Sequence, residues 1–185
     1  MSQELDAHLR EVLVHGPRPV TPVVVAYDDG WPARFATYRE RIVAALGDRA
    51  RIVEHIGSTA VPGLAAKDVV DVLVGIDDPD DEPAYLPDLL AAGYELRVRE
   101  PGHRALRETT GHRVNVHCYA PDDDEVPKYR LLRDHLRTHP EARRDYEAAK
   151  RALAGREWPD VNHYAEAKGP TIRRLLRDAG WAPPS

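Results

Sequence analysis

The stretch "VEHIGSTAVPGLAAKDVVDVLV" (residues 53–74) decides how this chain folds. An apolar strand over 51–56 runs into a Gly-Ser-Thr turn. A Pro-Gly loop, 57–67, carries the chain to Lys67, and a second apolar strand over 68–76 bears Asp71. Gly57 lets the chain leave the first strand without a Cβ clash. Ser58 and Thr59 place hydroxyls beside exposed amides, a turn that can hold a phosphate or a carboxylate. It is not a Walker loop, because the Gly-rich spacing before a Lys-Ser/Thr pair is absent, and Gly-Ser-Thr by itself is also an ordinary structural turn. Asp71 carries more weight. Side chains alternate along a strand, so Val70, Val72 and Val74 point one way while Asp71 and Leu73 point the other. A carboxylate among apolar neighbours costs several kcal/mol unless a partner or a metal compensates it. Asp71 is therefore either a site residue or half of an ion pair with Lys67 or an arginine.

The segment "HRVNVHCY" (112–119) repeats the device. Val114, Val116 and Cys118 share one face, which leaves Arg113, Asn115, His117 and Tyr119 on the other. Asn115 and His117 standing together make that face unsuitable as core, and it could meet Asp71 across a sheet. Around these strands the pattern is mixed. "VVVAY" (23–27) reads as a strand. Trp31, Phe35, Tyr38, Ile42 and Leu46 recur at helical spacing and predict a core-facing helix over 31–46. A helix around 83–92 and strands over 94–100 and 103–109 follow, with "TTG" (109–111) as a hairpin turn. From Val126 the pattern is helical, near 126–138, 140–154 and 160–179. The expected class is α+β, a mixed sheet of four or five strands packed with helices. Residues 1–22 read as a loosely attached arm with a short amphipathic helix over 3–14. Residues 23–125 read as the α/β part of one domain, and 126–185 as its helical part.

Composition narrows the function. The 185 residues carry a net charge of −5, with 31% charged and 42% hydrophobic side chains, as in an ordinary globular domain. That balance argues against an extended duplex nucleic-acid site. No run approaches the ~20 apolar residues of a membrane helix and no signal segment opens the chain, so a cytoplasmic protein is expected. Cys118 is the sole cysteine, which rules out a disulfide framework or a cysteine-based zinc site. The acidic runs 77–82 and 121–125 lack calcium-loop spacing and read as solvated turns. The arginines of the C-terminal third read chiefly as a solvated helical face.

Beyond residue 22 the sequence closely resembles the GrpB family. The resemblance rests on "YDDGWPARF" (27–35), "EHIGSTAVPGLAAK" (54–67), "VVDV" (69–72), "NVHCY" (115–119), "YRLLRDHLRTHPEARRDYEAAKRALA" (129–154) and "YAEAKGPTIRRLL" (164–176). It implies a nucleotidyltransferase-like fold with a C-terminal helical segment. Enzymes of that fold carry a Gly-Ser turn, two acids separated by one residue on the next strand, and a third acid on a later strand. The acids hold Mg²⁺ ions that bridge a triphosphate and activate a hydroxyl. Gly57 and Ser58 fit the turn and Asp71 fits the first acid, whereas the second position is Leu73 and the strand of Asn115 and His117 offers no third acid. Asp68, three residues away, points to the opposite face.

A divalent metal on Asp71 and His117, joined by His55, and a metal-free pocket with His117 as general base both stand open. Asp71 and His117 are the expected catalytic pair. Gly57, Ser58, Thr59, Lys67, Asn115, Arg130, Arg133 and Lys168 are the expected contacts to a small nucleotide or other anionic substrate, since arginine forks and lysines suit phosphate. The expected activity is a diverged nucleotidyltransferase. Two rivals are a non-catalytic accessory module, because GrpB-like domains also occur joined to dephospho-coenzyme A kinase, and a metal-dependent hydrolase using His55, Asp71 and His117.

Overall fold

A computed structural model describes residues 2–111 and 113–182. Five strands form one mixed sheet: β1 (Ile52–Ile56), β2 (Val70–Gly75), β3 (Tyr94–Glu100), β4 (His103–Glu108) and β5 (Val114–Tyr119), in the order β1-β2-β5-β4-β3. Only β2 and β5 run parallel; every other neighbouring pair is antiparallel. The strand expected over 112–119 is therefore β5, and its first position, His112, lies outside the described residues.

Register explains why the sheet has two unlike faces. Val70, Val72 and Val74 of β2, with Val114, Val116 and Cys118 of β5 and Leu106 of β4, face α2 (Trp31–Leu46) and α3 (Leu86–Ala91). Tyr38, Ile42 and Leu46 of α2 and Leu89 of α3 complete that core, so the helical spacing of residues 31–46 is the buried stripe itself. On the other face one row crosses the sheet as Ile56, Asp71, Asn115, Arg107 and Glu95, and the next as Glu54, Leu73, His117 and Ala105. Four helices cover the β1 side of this face: α4 (Glu125–Thr138), α5 (Pro140–Leu153), α6 (Val161–Ala167) and α7 (Gly169–Asp178). They are anchored by Ile56, Leu73 and Val126, and by Val61, Leu64, Leu136 and Tyr146. A helix expected over 160–179 is two helices, because Pro170 has no N–H to continue α6.

Two expectations fail locally. Residues 23–27 are not a strand; only Val25 pairs, through two bonds to Ala66 of 2.8 and 3.0 Å. The sheet edge there is already β1, and the loop beside residues 23–27 offers a single partner. Nor is the N-terminal segment loose. Helix α1 (Ser2–Val12) buries Leu9, Val12 and Leu13 against Val98 of β3. Asp6 Oδ1 lies 2.8 Å from His163 Nε2, and Val20 pairs with Trp158. An amphipathic stripe with a strand to cover holds more firmly than the Gly-Pro break suggested. Leu9→Ala is expected to destabilise the fold by about 2–3 kcal/mol and to lower its melting temperature by roughly 4–12 °C. Calorimetry checks this, and an unchanged melting temperature would mean that α1 is not docked in solution.

Candidate functional site

The site begins where Gly57 meets Asp71. Gly57 closes β1 with φ +71 and ψ −169, a region open to glycine alone. A Cβ placed there would lie 2.3 Å from Asp71 Oδ2. The backbone of the Gly-Ser turn thus rests directly on the carboxylate. Asn115, register partner of Asp71 on β5, donates from Nδ2 to Asp71 Oδ1 at 2.8 Å. His117 Nε2 stands 3.9 Å from the same oxygen. Burial pushes the Asp71 carboxyl up, but His117, Asn115 and Lys67 together hold it below the ordinary carboxylate value. It is an ionised, oriented acceptor.

His117 heads a chain of imidazoles. Its Nδ1 is 3.4 Å from Nε2 of His103, whose Nδ1 is 3.0 Å from Glu100 Oε2; the other Glu100 oxygen is 2.6 Å from His8 on α1. The rings of His103 and His117 are parallel within 9°, and His103 also stacks on Tyr119 at 4.4 Å. Burial first, and then the neighbouring His117, keep His103 below its ordinary pKa despite Glu100. An imidazole whose far nitrogen is bonded to a carboxylate-oriented neighbour has a fixed tautomer and a path for its proton.

Across from these strands, three lysines line one cavity of about 380 Å³ with Ser58, Asp71 and His117. Lys67 Nζ lies 5.4 Å and Lys168 Nζ 4.7 Å from the centre of the Tyr164 ring. Lys150 is 3% exposed, sits 4.7 Å over the Tyr146 ring and donates to Ala65 O. Among the described residues none of the three has a carboxylate within 4.0 Å. Burial, then the charge of Lys168, pushes Lys67 down to about 8 and Lys150 down to about 7; burial also lowers Lys168. Tyr146, raised to about 12 by burial, places its phenol against the Ser58 hydroxyl. Three desolvated cations crowd one cavity; Asp71 attracts Lys67 and Lys168, Asp160 also attracts Lys67, and Glu147 attracts Lys150, but burial outweighs these attractions at all three.

Several expected residues are not assembled here. His55 is opposite Val72 in the β1–β2 register, which turns it to the α2 face. There it stacks on Phe35 at 4.8 Å and bonds Thr59 Oγ1 at 3.0 Å. Burial depresses it to about 4. His55 and Thr59 are thus committed to each other, and the three-ligand set of His55, Asp71 and His117 is not formed. Arg130 and Arg133 both grip Glu54, at 2.6 and 3.0 Å, and brace α4 on β1; Arg133 does line the cavity, already paired, whereas Arg130 does not. Asp68 receives Trp31 Nε1 at 2.8 Å and Arg34 Nη1 at 2.5 Å, fastening the start of α2. Gly57, Ser58, Lys67, Asp71, Asn115, His117 and Lys168 do come together.

Lys150 and His103 were not among the sequence candidates. The signal for Lys150 was its place in the apolar stripe Ala142, Tyr146, Lys150 of α5, where all three are buried; a lysine on a core face needs a reason.

The residues present do not fit a nucleotidyltransferase metal pair. Leu73, fully buried, holds the second acid position, Glu54 beside it is neutralised by two arginines, and Asn115 turns its amide nitrogen to Asp71. No three of His, Cys, Asp and Glu converge among the described residues.

The family model described as GrpB protein matches residues 21–178. The UPF0157 protein SCO7215 of Streptomyces coelicolor is 47% identical over 170 residues, covering 92% of this chain and 90% of that protein. A protein named dephospho-CoA kinase in Mycolicibacterium paratuberculosis is 31% identical over 86% of this chain, which spans 48% of that protein. Among solved structures, the conserved protein GrpB from Enterococcus faecalis superposes with a TM-score of 0.74 at 27% identity, covering 85% of this chain and 96% of that one. The GLD-2/RNP-8 complex does so with 0.50 at 13% identity, over 68% and 44%, a likeness of fold alone. The shared architecture is α+β, a mixed sheet packed with helices. No helix among the described residues is long and apolar enough to cross a membrane. With its match running from the segment before α2 to the end of α7, this chain belongs to the GrpB family.

Proposed function

We propose that the chain is a diverged nucleotidyltransferase-like enzyme that holds the phosphates of a small nucleotide in the lysine cavity. The observation that carries this reading is the convergence of Lys67, Lys150 and Lys168 on one cavity without an ion-pair partner among the described residues. Desolvated ammonium groups gain most from a multiply charged anion, and the Gly57–Ser58 turn adds backbone and hydroxyl donors. In this reading the lysines supply the positive charge that a metal pair supplies elsewhere in the fold. His117 takes the proton of an acceptor hydroxyl; that oxygen bonds to the α-phosphorus, the bond to pyrophosphate breaks, and Asp71 steadies the imidazolium. His103 and Glu100 carry the proton outward to His8.

Nucleoside triphosphate at about 100 times its Kd is expected to stabilise the protein by roughly 2.7 kcal/mol, and equally so with EDTA present. A flat melting temperature across nucleotides sinks the reading; a rise only with Mg²⁺ sinks its metal-free form. His117→Ala is expected to leave nucleotide affinity within about threefold and to cut pyrophosphate release on the order of 10²-fold. A binding or accessory module is the second reading, favoured by Leu73 in the acid position and by the relative named dephospho-CoA kinase. It predicts nucleotide binding with no turnover for His117→Ala to reduce.

A further inference from the structure

The cleft does not stop at His117. Over β4 and β3 a second cavity of about 780 Å³ continues the first, sharing Asn115, His117 and Asn162 with it. Its floor is the Asp71 face of the sheet, where Ala105 is paired with His117 and Arg107 with Asn115. Helix α1 forms one wall and α6 the other.

The carboxylates of this cavity are engaged. Glu100 holds His8 and His103. Asp160, 2% exposed, accepts the backbone N–H of Arg18 at 2.9 Å, and both the backbone N–H and the side-chain amide of Asn162, at 3.0 and 2.6 Å. Glu166 faces Arg173 at 3.9 Å, and Arg107 donates to Glu95 at 2.5 Å. Arg97 is the exception. It is a lining residue of the cavity, and its Nη1 is buried without a hydrogen-bond partner among the described residues. Burial, then the charges of Arg107 and Arg18, hold Arg97 below its ordinary pKa, only partly offset by Asp160 and Glu95. A buried guanidinium N–H left empty beside two further arginines is a place for an anion.

We propose that this second cavity is the acceptor subsite and that the acceptor is a small hydroxylated anion. Its phosphate or carboxylate is held by Arg97, next to the Arg107–Glu95 pair, and its hydroxyl lies at His117. The assignment of roles rests on the lysine cavity holding the donor. Size follows from the sheet. Arg107 is opposite Asn115, two residues from His117, and such diagonal neighbours stand roughly 7 Å apart. That span matches a sugar phosphate or a hydroxy acid. Leu5, Leu9 and Val12 of α1 close the outer side with apolar surface, which suits the carbon skeleton between the two polar ends.

Inorganic phosphate followed by amide NMR tests this. In the wild type, amides of β3 and β4 around Arg97 and Arg107 are expected to follow one isotherm, and those of Gly57, Ser58 and Lys168 another. Arg97→Met should weaken the first at least tenfold and leave the second unchanged. Arg97→Lys, which keeps the charge and loses the fork, should fall between and serves if the methionine variant does not fold. Silent β3–β4 amides, or a first isotherm unmoved in both variants, overturn the acceptor subsite. If the first isotherm behaves as stated while the second set stays silent, the arginine subsite stands and the lysine-cavity reading falls.

Discussion

Gly57→Ala is expected to disable the site and to lower stability together. At φ +71 and ψ −169 an alanine costs about 1–3 kcal/mol in backbone strain alone. The added Cβ would stand 2.3 Å from Asp71 Oδ2, 3.0 Å from Cγ and 3.1 Å from Cβ. Rotating the carboxylate away does not relieve this, because the Asp71 Cβ is itself close. Either the Gly-Ser turn lifts or β2 shifts, and both separate Asp71 from Asn115 and His117. A fall in melting temperature of roughly 4–12 °C is expected for a loss of about 2–3 kcal/mol, with nucleotide affinity down about 100-fold, near 2.7 kcal/mol. Calorimetry and titration read the two separately. A variant that melts within 2 °C of the parent (about 1 kcal/mol or less) and binds normally would mean that the turn does not rest on the carboxylate.

Lys150→Met is expected to move stability and binding in opposite directions. A folded-state pKa of about 7 against 10.5 unfolded means the unfolded chain holds more protons between those values, so stability rises with pH across that window. The burden of the buried ammonium is therefore full below pH 7 and gone by pH 10.5. At neutral pH it is on the order of 5 kcal/mol, against about 1–3 kcal/mol for the Ala65 carbonyl left without its donor. The methionine variant should melt higher than the parent at pH 6–7, and the gap should close toward pH 10. Its affinity for tripolyphosphate should drop about 100-fold, near 2.7 kcal/mol. In the parent, that affinity should fall as pH rises from 7 to 9, as Lys150 and then Lys67 discharge. Melting curves and calorimetric titrations at four pH values check both signs. A variant that is less stable at pH 6.5 and binds as the parent does would make Lys150 a structural residue.

Much of this was readable in the residues. The alternation that separates Asp71, Asn115 and His117 from their valines is a property of any strand, and α2 announced itself through five core positions. What could not be read was which strands lie side by side. Only the parallel β2–β5 pairing puts Asn115 against Asp71, and a crossover is fixed by the packing of the intervening elements. The same limit misplaced His55, since the β1–β2 register sets it opposite Val72, on the other face from Asp71. Arg130 and Arg133 looked like phosphate forks because Glu54, their partner, is 76 and 79 residues away.

The family match starts at residue 21, so the α1 wall of the proposed acceptor chamber lies outside that match. A chain that keeps residues 21–178 and exchanges its leading helix would keep the lysine cavity and the Asp71–His117 face and acquire a different doorway. In the proposed reading, selectivity for the incoming molecule would then drift independently of the groups beneath it.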